Sequence, residues 1–303
     1  MNGVLIIDKP AGLTSHDVVN QVRRALDQRS VGHLGTLDPM ATGVLPLVTG
    51  SLTRLAQFYT KAEKTYEGIV RFGFSTDTYD AEGEPTSPTV DVQLQSTEVE
   101  ALAGSFRGVI EQTPPPFSAK KIHGVPAYKL ARKQKEVSLK PVKVEIKEFD
   151  VLASDGSHLS FRARVASGTY LRSVAHDMGQ RLGCGAHLAS LRRTAVAEFD
   201  LADAHSLDEL AAAVRSDAAP ALDDLFVHPR KLLPALPSVT ADDANAARIR
   251  TGRTVNLPDL SRARQVKVFY GQRELLAIAT RIAGTLFHPG IVLCGSDIPV
   301  RQL

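Results

Sequence analysis

A glycine-rich loop bounded by proline surrounds a single acidic residue, Asp38, whose nearest acidic neighbours are Asp27 and Glu63. Pro39 fixes the backbone after Asp38 and favours an extended conformation at the acid. An apolar run over residues 44–48 follows and predicts a buried strand. The glycines, which permit tight turns and close backbone approach, are at positions 32, 35 and 43. The chain must therefore fold so that core structure supports a rigid loop carrying Asp38.

A lone carboxylate on such a loop is typical of a nucleophile rather than of an acid/base pair. The Asp38-Pro39 dipeptide is equally typical of a turn that glycines close, without any chemical role. Local chemistry leaves both interpretations open.

The pattern of apolar residues predicts short strands with helices between them and no regular βαβ repeat. Residues 4–7 and 66–72 predict strands, residues 170–182 predict a helix, and Thr14 with Asp17 predicts a capping box. We therefore expect an α+β protein with a mixed, mainly antiparallel sheet flanked by helices. Residues 112–147 are proline-rich and then basic, which predicts an exposed loop or arm followed by a strand.

The last quarter of the chain has a different pattern. A proline-containing linker is expected near residues 229–237, and short, closely spaced strands with glycines beyond it predict a small β-barrel-like domain. This divides the chain into domains at 1–230 and 236–303.

Charge is segregated along the chain, although the formal net charge is only +3. Residues 113–147 contain nine Lys/Arg and two acids, whereas residues 74–100 contain seven acids and no Lys or Arg. Such segregation indicates one electropositive face for a polyanion. Solvated, mixed surfaces are the alternative.

Two features favour a cytoplasmic protein. The two cysteines, Cys184 and Cys294, are far apart in sequence, which argues against a disulfide framework. No apolar stretch approaches the roughly 20 residues that span a bilayer, and the N-terminus lacks signal-peptide character. Cys184 and His187 form a pair without two further nearby ligands, so no zinc site is expected.

Residues 33–47 resemble the catalytic loop of the TruB-type pseudouridine synthases, which act on uridine 55 in the T arm of tRNA. Leu34 departs from the family, since many members carry Thr there. Other segments resemble family motifs in the same order along the chain: residues 3–10, 12–15, 64–66, 77–83, 112–132, 167–173, 185–188 and 191–194. The C-terminal strand order resembles a PUA domain, an RNA-binding module.

The resemblance implies that Asp38 is the catalytic carboxylate and that Arg172 pairs with it. A guanidinium can aim a carboxylate through two parallel hydrogen bonds. It also implies that Tyr66 stacks on the extruded base or takes part in proton transfer, and that Leu191 packs against the base. Attack at C1′, attack at C6 and a glycal route stay open.

The resemblance further implies tRNA, through its T-arm stem-loop, as the partner, with no membrane and no obligatory protein partner; a monomer is expected. Because isomerisation transfers neither hydride nor phosphate, no cofactor or metal is expected, and the chain carries neither a P-loop nor a G-x-G-x-x-G motif. The implied RNA contacts are His33, Lys9, Asp80, Lys120, Lys121, Tyr128, Arg132 and Arg193.

Three other functions compete with this interpretation. The chain could be a related synthase with another RNA target or a non-catalytic RNA-binding or tRNA-folding protein. Asp38 could also be a hydrolase nucleophile, but the metal-binding acids of a phosphatase and the second carboxylate of a glycosidase are not indicated.

Overall fold

The computed structural model describes residues 1–118, 120–122, 124–131, 133, 137, 139–215, 219–259 and 261–293, with the backbone alone at 121, 126 and 219–221. Within these ranges the strands are β1 (Gly3–Lys9), β2 (Val31–His33), β3 (Thr42–Thr49), β4 (Lys64–Phe72), β5 (Gly108–Gln112), β6 (Lys121–Ile122), β7 (Val125–Pro126), β8 (Val142–Ser154), β9 (His158–Val165), β10 (Ala186–Val196), β11 (Phe199–Asp200), β12 (Ala204–His205), β13 (Ser238–Thr240), β14 (Val255–Asn256), β15 (Gln265–Tyr270), β16 (Glu274–Ala283) and β17 (Leu286–Val292).

The helices of the same ranges are short, with at most 12 residues each. They are α1 (Ser15–Ala25), α2 (Ala56–Tyr59), α3 (Ser96–Gly104), α4 (Ala127–Ala131), α5 (Leu171–Leu182), α6 (Leu207–Arg215), α7 (Ala219–Asp224) and α8 (Asp243–Arg250). None of these described helices is long and apolar enough to cross a membrane.

The first sheet has the strand order β12-β1-β3-β10-β4-β9-β8-β5, with β2 added to β3 and β11 added to β10. The pairs β1–β12 and β3–β10 are parallel, and the other pairs are antiparallel. Helices α1 and α5 contribute Val18, Val22, Val174 and Met178 to the core beneath it. The expected mixed, mainly antiparallel sheet flanked by helices is confirmed.

Gly43 on β3 pairs with both neighbouring strands of this sheet. It pairs with Lys9 on β1 and with Arg193 on β10. A Cβ at Gly43 would lie 2.2 Å from the backbone oxygen of Arg193, and the residue has a φ of +99°. Only glycine meets both demands, because it has no Cβ and tolerates positive φ. The start of β3 is thereby fixed between its neighbours, directly after the Asp38 loop.

The second sheet has the order β13-β15-β16-β17-β14 and curls into a half-barrel. This confirms the expected barrel-like C-terminal fold. The half-barrel packs on the first sheet through a shared apolar cluster that contains Leu52, Leu55 and Tyr59 from one side and Phe269 and Ile278 from the other.

A partly buried polar contact lies beside that cluster. One carboxylate oxygen of Glu198 accepts hydrogen bonds from the Tyr59 hydroxyl at 2.6 Å and from the Leu233 backbone N–H at 2.8 Å. The Lys267 ammonium donates to the backbone oxygen of Leu232 at 2.6 Å. The segment between the sheets is therefore held by side chains from both of them.

Most local predictions agree with the structure, including β3 over the apolar run, helix α5 and the Thr14–Asp17 capping box. The exposed loop expected after Gln112 is wrong in its first part. Gln112 and Ser118 are buried, and the segment between them packs against the first sheet and α5. Proline content indicated the irregular backbone but not its burial.

Replacing Gly43 by alanine should lower the free energy of unfolding by roughly 3 kcal/mol or more, because the new Cβ collides with the backbone of β10 at a positive φ. Gly104→Ala is the matched control, since nothing lies within 4 Å of its Cβ position and its φ is not positive. Urea unfolding of both variants measures the effect. Equal midpoints would contradict the proposed constraint.

Candidate active site

One pocket of about 450 Å³ collects side chains from separate parts of the chain. Asp38 lies on the loop before β3, Tyr66 on β4, Arg172 on α5, and Leu191 on β10. His33, at the end of β2, lies at the same pocket. The fold thus brings together the three residues expected at the chemical step and two of those expected to contact the substrate.

The Asp38 loop has little regular secondary structure, and side chains satisfy several of its backbone oxygens. Arg193 donates from its three nitrogens to the backbone oxygens of Val44, Thr36 and Gly35, at 2.7, 3.2 and 3.0 Å. The Ser15 hydroxyl accepts from the backbone N–H of Leu37 at 2.8 Å. Unsatisfied buried carbonyls are costly, so these donors hold the loop in one conformation.

Lys9 also binds backbone oxygens of the Asp38 loop. Its ammonium donates to the backbone oxygens of Pro10, Pro39 and Ala41, at 2.8, 3.1 and 2.7 Å. Both Lys9 and Arg193 are fully buried. Both side chains bind backbone oxygens at this loop, and their expected contact with RNA stays a prediction.

Arg172 approaches Asp38 differently from the expectation of two parallel hydrogen bonds. Its Nε lies 2.8 Å from Asp38 Oδ2, while its terminal nitrogens donate to the backbone oxygens of Thr78 and Phe117, both at 3.0 Å. The guanidinium is thus fixed by two carbonyls and forms a single-atom ion pair with Asp38. The side chain of Arg172 is 5% exposed and that of Asp38 is 37% exposed, so the carboxylate stays open to the pocket.

Asp80 forms a second acidic neighbour of the same guanidinium. Its Oδ2 lies 3.6 Å from Arg172 Nε, and its Oδ1 accepts hydrogen bonds from the Thr78 hydroxyl and the Glu82 backbone N–H. The carboxylate is buried and contacts Arg172, and the expected contact of Asp80 with RNA stays a prediction. Burial, and after it the charges of Asp80 and Asp38, raise the pKa of nearby Glu82.

The remaining pocket residues differ in exposure. Tyr66 is buried on β4 with its side chain at the pocket wall, and Leu191 is half-buried opposite Gly68. His33 is half-buried, with Nδ1 accepting from the Gly35 backbone N–H at 3.3 Å. Burial, followed by the charge of Arg193, lowers the pKa of His33, which favours its neutral form.

Two of the RNA contacts expected in the basic segment, Lys120 and Tyr128, lie among the described residues. Lys120 is exposed, and Tyr128 on α4 donates its backbone N–H to the oxygen of Ser118 at 3.0 Å. The side chain of Lys121 and the whole of Arg132 lie outside the described residues.

Sequence reasoning missed one supporting residue, Gln112. Its side-chain amide accepts from the Tyr170 backbone N–H at 2.8 Å and donates to the Tyr170 oxygen at 3.0 Å. Tyr170 caps the N-terminus of α5 and lines the pocket. A glutamine at the end of a strand signals a buried partner only weakly, and its partner here is 58 residues away. Among the described residues, no group of three or more His, Cys, Asp or Glu side chains could hold a metal ion.

Comparisons with known proteins agree with this architecture. Residues 23–171 match the TruB family pseudouridylate synthase (N terminal domain), and residues 172–231 match the tRNA pseudouridylate synthase B C-terminal domain. The chain is 51% identical to tRNA pseudouridine synthase B of Solibacter usitatus over 97% of this chain and 100% of the relative. It is 39% identical to the protein of the same name from Aquifex aeolicus, over 94% and 98%.

A crystal structure of the archaeal box H/ACA sRNP Nop10-Cbf5 complex contains a similar fold, with a TM-score of 0.69 at 24% identity over 97% of this chain and 87% of that one. At that identity the likeness concerns the fold alone. The sheet, the pocket and the relatives together define a pseudouridine synthase, an isomerase that acts on RNA. More narrowly, the chain belongs to the TruB family of these enzymes.

Replacing Lys9 by methionine should destabilise the protein by roughly 2 kcal/mol or more at neutral pH, because three loop carbonyls lose their donor. Burial lowers the pKa of Lys9 to about 8 from its ordinary 10.5. Between these values the unfolded chain binds more protons, so the stability of the wild type rises with pH. The stability difference between wild type and Lys9→Met should therefore widen from pH 7.5 to pH 9.5.

Urea unfolding at the two pH values measures this difference, with Lys143→Met as the exposed control. A difference that narrows as the pH rises would show that the buried ammonium is not the group responsible.

Proposed function

We propose that this protein converts uridine 55 in the T loop of tRNA into pseudouridine, with Asp38 as the carboxylate that assists cleavage of the glycosidic bond. The observation that carries the proposal is the convergence of Asp38, Arg172, Tyr66 and Leu191 on one pocket in a member of the TruB family. Relatives that span nearly the whole chain are named for tRNA, which supports tRNA as the substrate.

The pocket supplies what the isomerisation needs. The target uridine must leave the stacked loop, at a cost of a few kcal/mol that contacts elsewhere on the tRNA offset. Tyr66 offers an aromatic face for the extruded base, and Leu191 offers an apolar contact. The detached uracil must then be retained while it rotates and C5 joins C1′, which a walled pocket permits.

Arg172 holds Asp38 at the open side of the pocket. Because its terminal nitrogens are bound to Thr78 and Phe117, the guanidinium position does not depend on Asp38. The Asp38 carboxylate can therefore approach the sugar or the base while the Arg172 guanidinium keeps its position.

The proposal assigns catalysis to residues 1–230 and additional RNA contacts to residues 236–303. A monomer is the proposed active form. The exposed Lys120 and the electropositive segment around it are the expected contacts for T-arm phosphates.

Asp38→Asn should lower tritium release from C5-tritiated uridine in a T-arm stem-loop by at least about a thousandfold, because the amide keeps the shape but removes the carboxylate. RNA binding should stay within about threefold of the wild type. Asp224→Asn, at an exposed position of α7, is the matched control.

Two results would overturn the proposal. Undiminished release by Asp38→Asn would mean that another acid performs the reaction. Binding without release by the wild type, on both the stem-loop and unmodified tRNA, would favour the RNA-folding function.

A further inference from the structure

Lys64 is a charged pocket residue that the proposed reaction does not use. It is the first residue of β4 and lies on the same face of the strand as Tyr66, since alternate residues of a strand share a face. The other charged side chains at the pocket, Asp38 and Arg172, pair with each other. Among the described residues, no ion pair includes Lys64.

The surroundings of Lys64 are positively charged. Its ammonium donates one hydrogen bond, to the backbone oxygen of Ala62 at 2.7 Å. Lys64 Cε and Arg193 Nη1 lie 3.3 and 3.5 Å from the position that a Cβ on Gly35 would occupy, so both cationic side chains use the space that this glycine leaves. All three guanidinium nitrogens of Arg193 face carbonyls rather than a carboxylate.

This arrangement is costly in the absence of an anion. Burial, and after it the charge of Arg193, lower the pKa of Lys64 to about 8. An ammonium near a second cation, without a carboxylate partner, favours any ligand that brings negative charge. It has two hydrogens left to donate, because an ammonium carries three and Ala62 takes one.

We propose that Lys64 binds a backbone phosphate next to the flipped uridine, and this inference rests on the proposed RNA-modifying function. The anions of an RNA substrate are its phosphates, and a lysine ammonium binds them as a point charge. Lys64 and Tyr66 then hold the backbone and the base from one face of one strand. Lys64 is thus a positioning residue for the nucleotide rather than a participant in bond cleavage.

The first test compares Lys64→Met with Lys61→Met, an exposed lysine three residues earlier. Lys64→Met should raise KM for the T-arm stem-loop roughly tenfold, as expected for loss of one charge-assisted contact, and change kcat less than about threefold. The slope of log Kd against log salt concentration should fall by about 0.7 to 0.9, the value for one phosphate. Lys61→Met should leave the KM unchanged.

A second test identifies the ligand as a phosphate. Stem-loops carry a neutral methylphosphonate at either linkage flanking the target uridine. At one linkage the wild type should lose affinity roughly tenfold while Lys64→Met loses less than about threefold, because the variant has already lost the contact. Lys64→Gln repeats the comparison with a polar side chain.

Equal losses in wild type and both variants at both linkages would overturn the role of Lys64. So would a fall in kcat with unchanged KM and salt slope. Failure of the proposed function would be seen separately, as absence of tritium release by the wild type from the all-phosphate stem-loop.

Discussion

Two buried cations hold the backbone from which the active site is built. Lys9 and Arg193 together bind six backbone oxygens, five of them between Gly35 and Val44. A loop of this kind cannot satisfy all its carbonyls within a helix or sheet, so side chains supply many of the donors. Because Gly43 pairs with both Lys9 and Arg193, the strand register fixes how far their side chains are from the loop carbonyls. The position of Asp38 is therefore a consequence of how three strands meet.

The two cationic side chains at the pocket, Arg172 and Lys64, have different electrostatic surroundings. Arg172 is enclosed by carbonyls and by two carboxylates, so its charge is balanced within the protein. Lys64 pairs with no carboxylate among the described residues, and both Lys64 and Arg193 border the space above Gly35. One side of the pocket is therefore complete before substrate arrives, whereas the other gains from an anionic ligand. In the proposed complex the base and the phosphate meet different chemistry, which favours one orientation of the RNA.

Local patterns predicted the elements of the fold well, since α5 and β3 are both set by the spacing of apolar residues. The resemblance of motifs directed attention to Asp38, Arg172 and Tyr66, which the fold places at one pocket. Sequence could not show that Lys9 is buried, because a lysine is ordinarily exposed and its burial depends on carbonyls about 30 residues away. Contacts between distant segments, such as Gln112 with Tyr170, follow from the tertiary fold alone.

The Glu198 carboxylate connects the linker to the pocket wall, because it binds both Leu233 and the hydroxyl of Tyr59, a pocket residue. The half-barrel also covers Leu52 and Leu55 next to that tyrosine. The C-terminal part is thus not an interchangeable module added to a finished enzyme. Exchange of this part between relatives would be tolerated only when the facing surface changed with it, so the gene segments for the two parts are expected to evolve together.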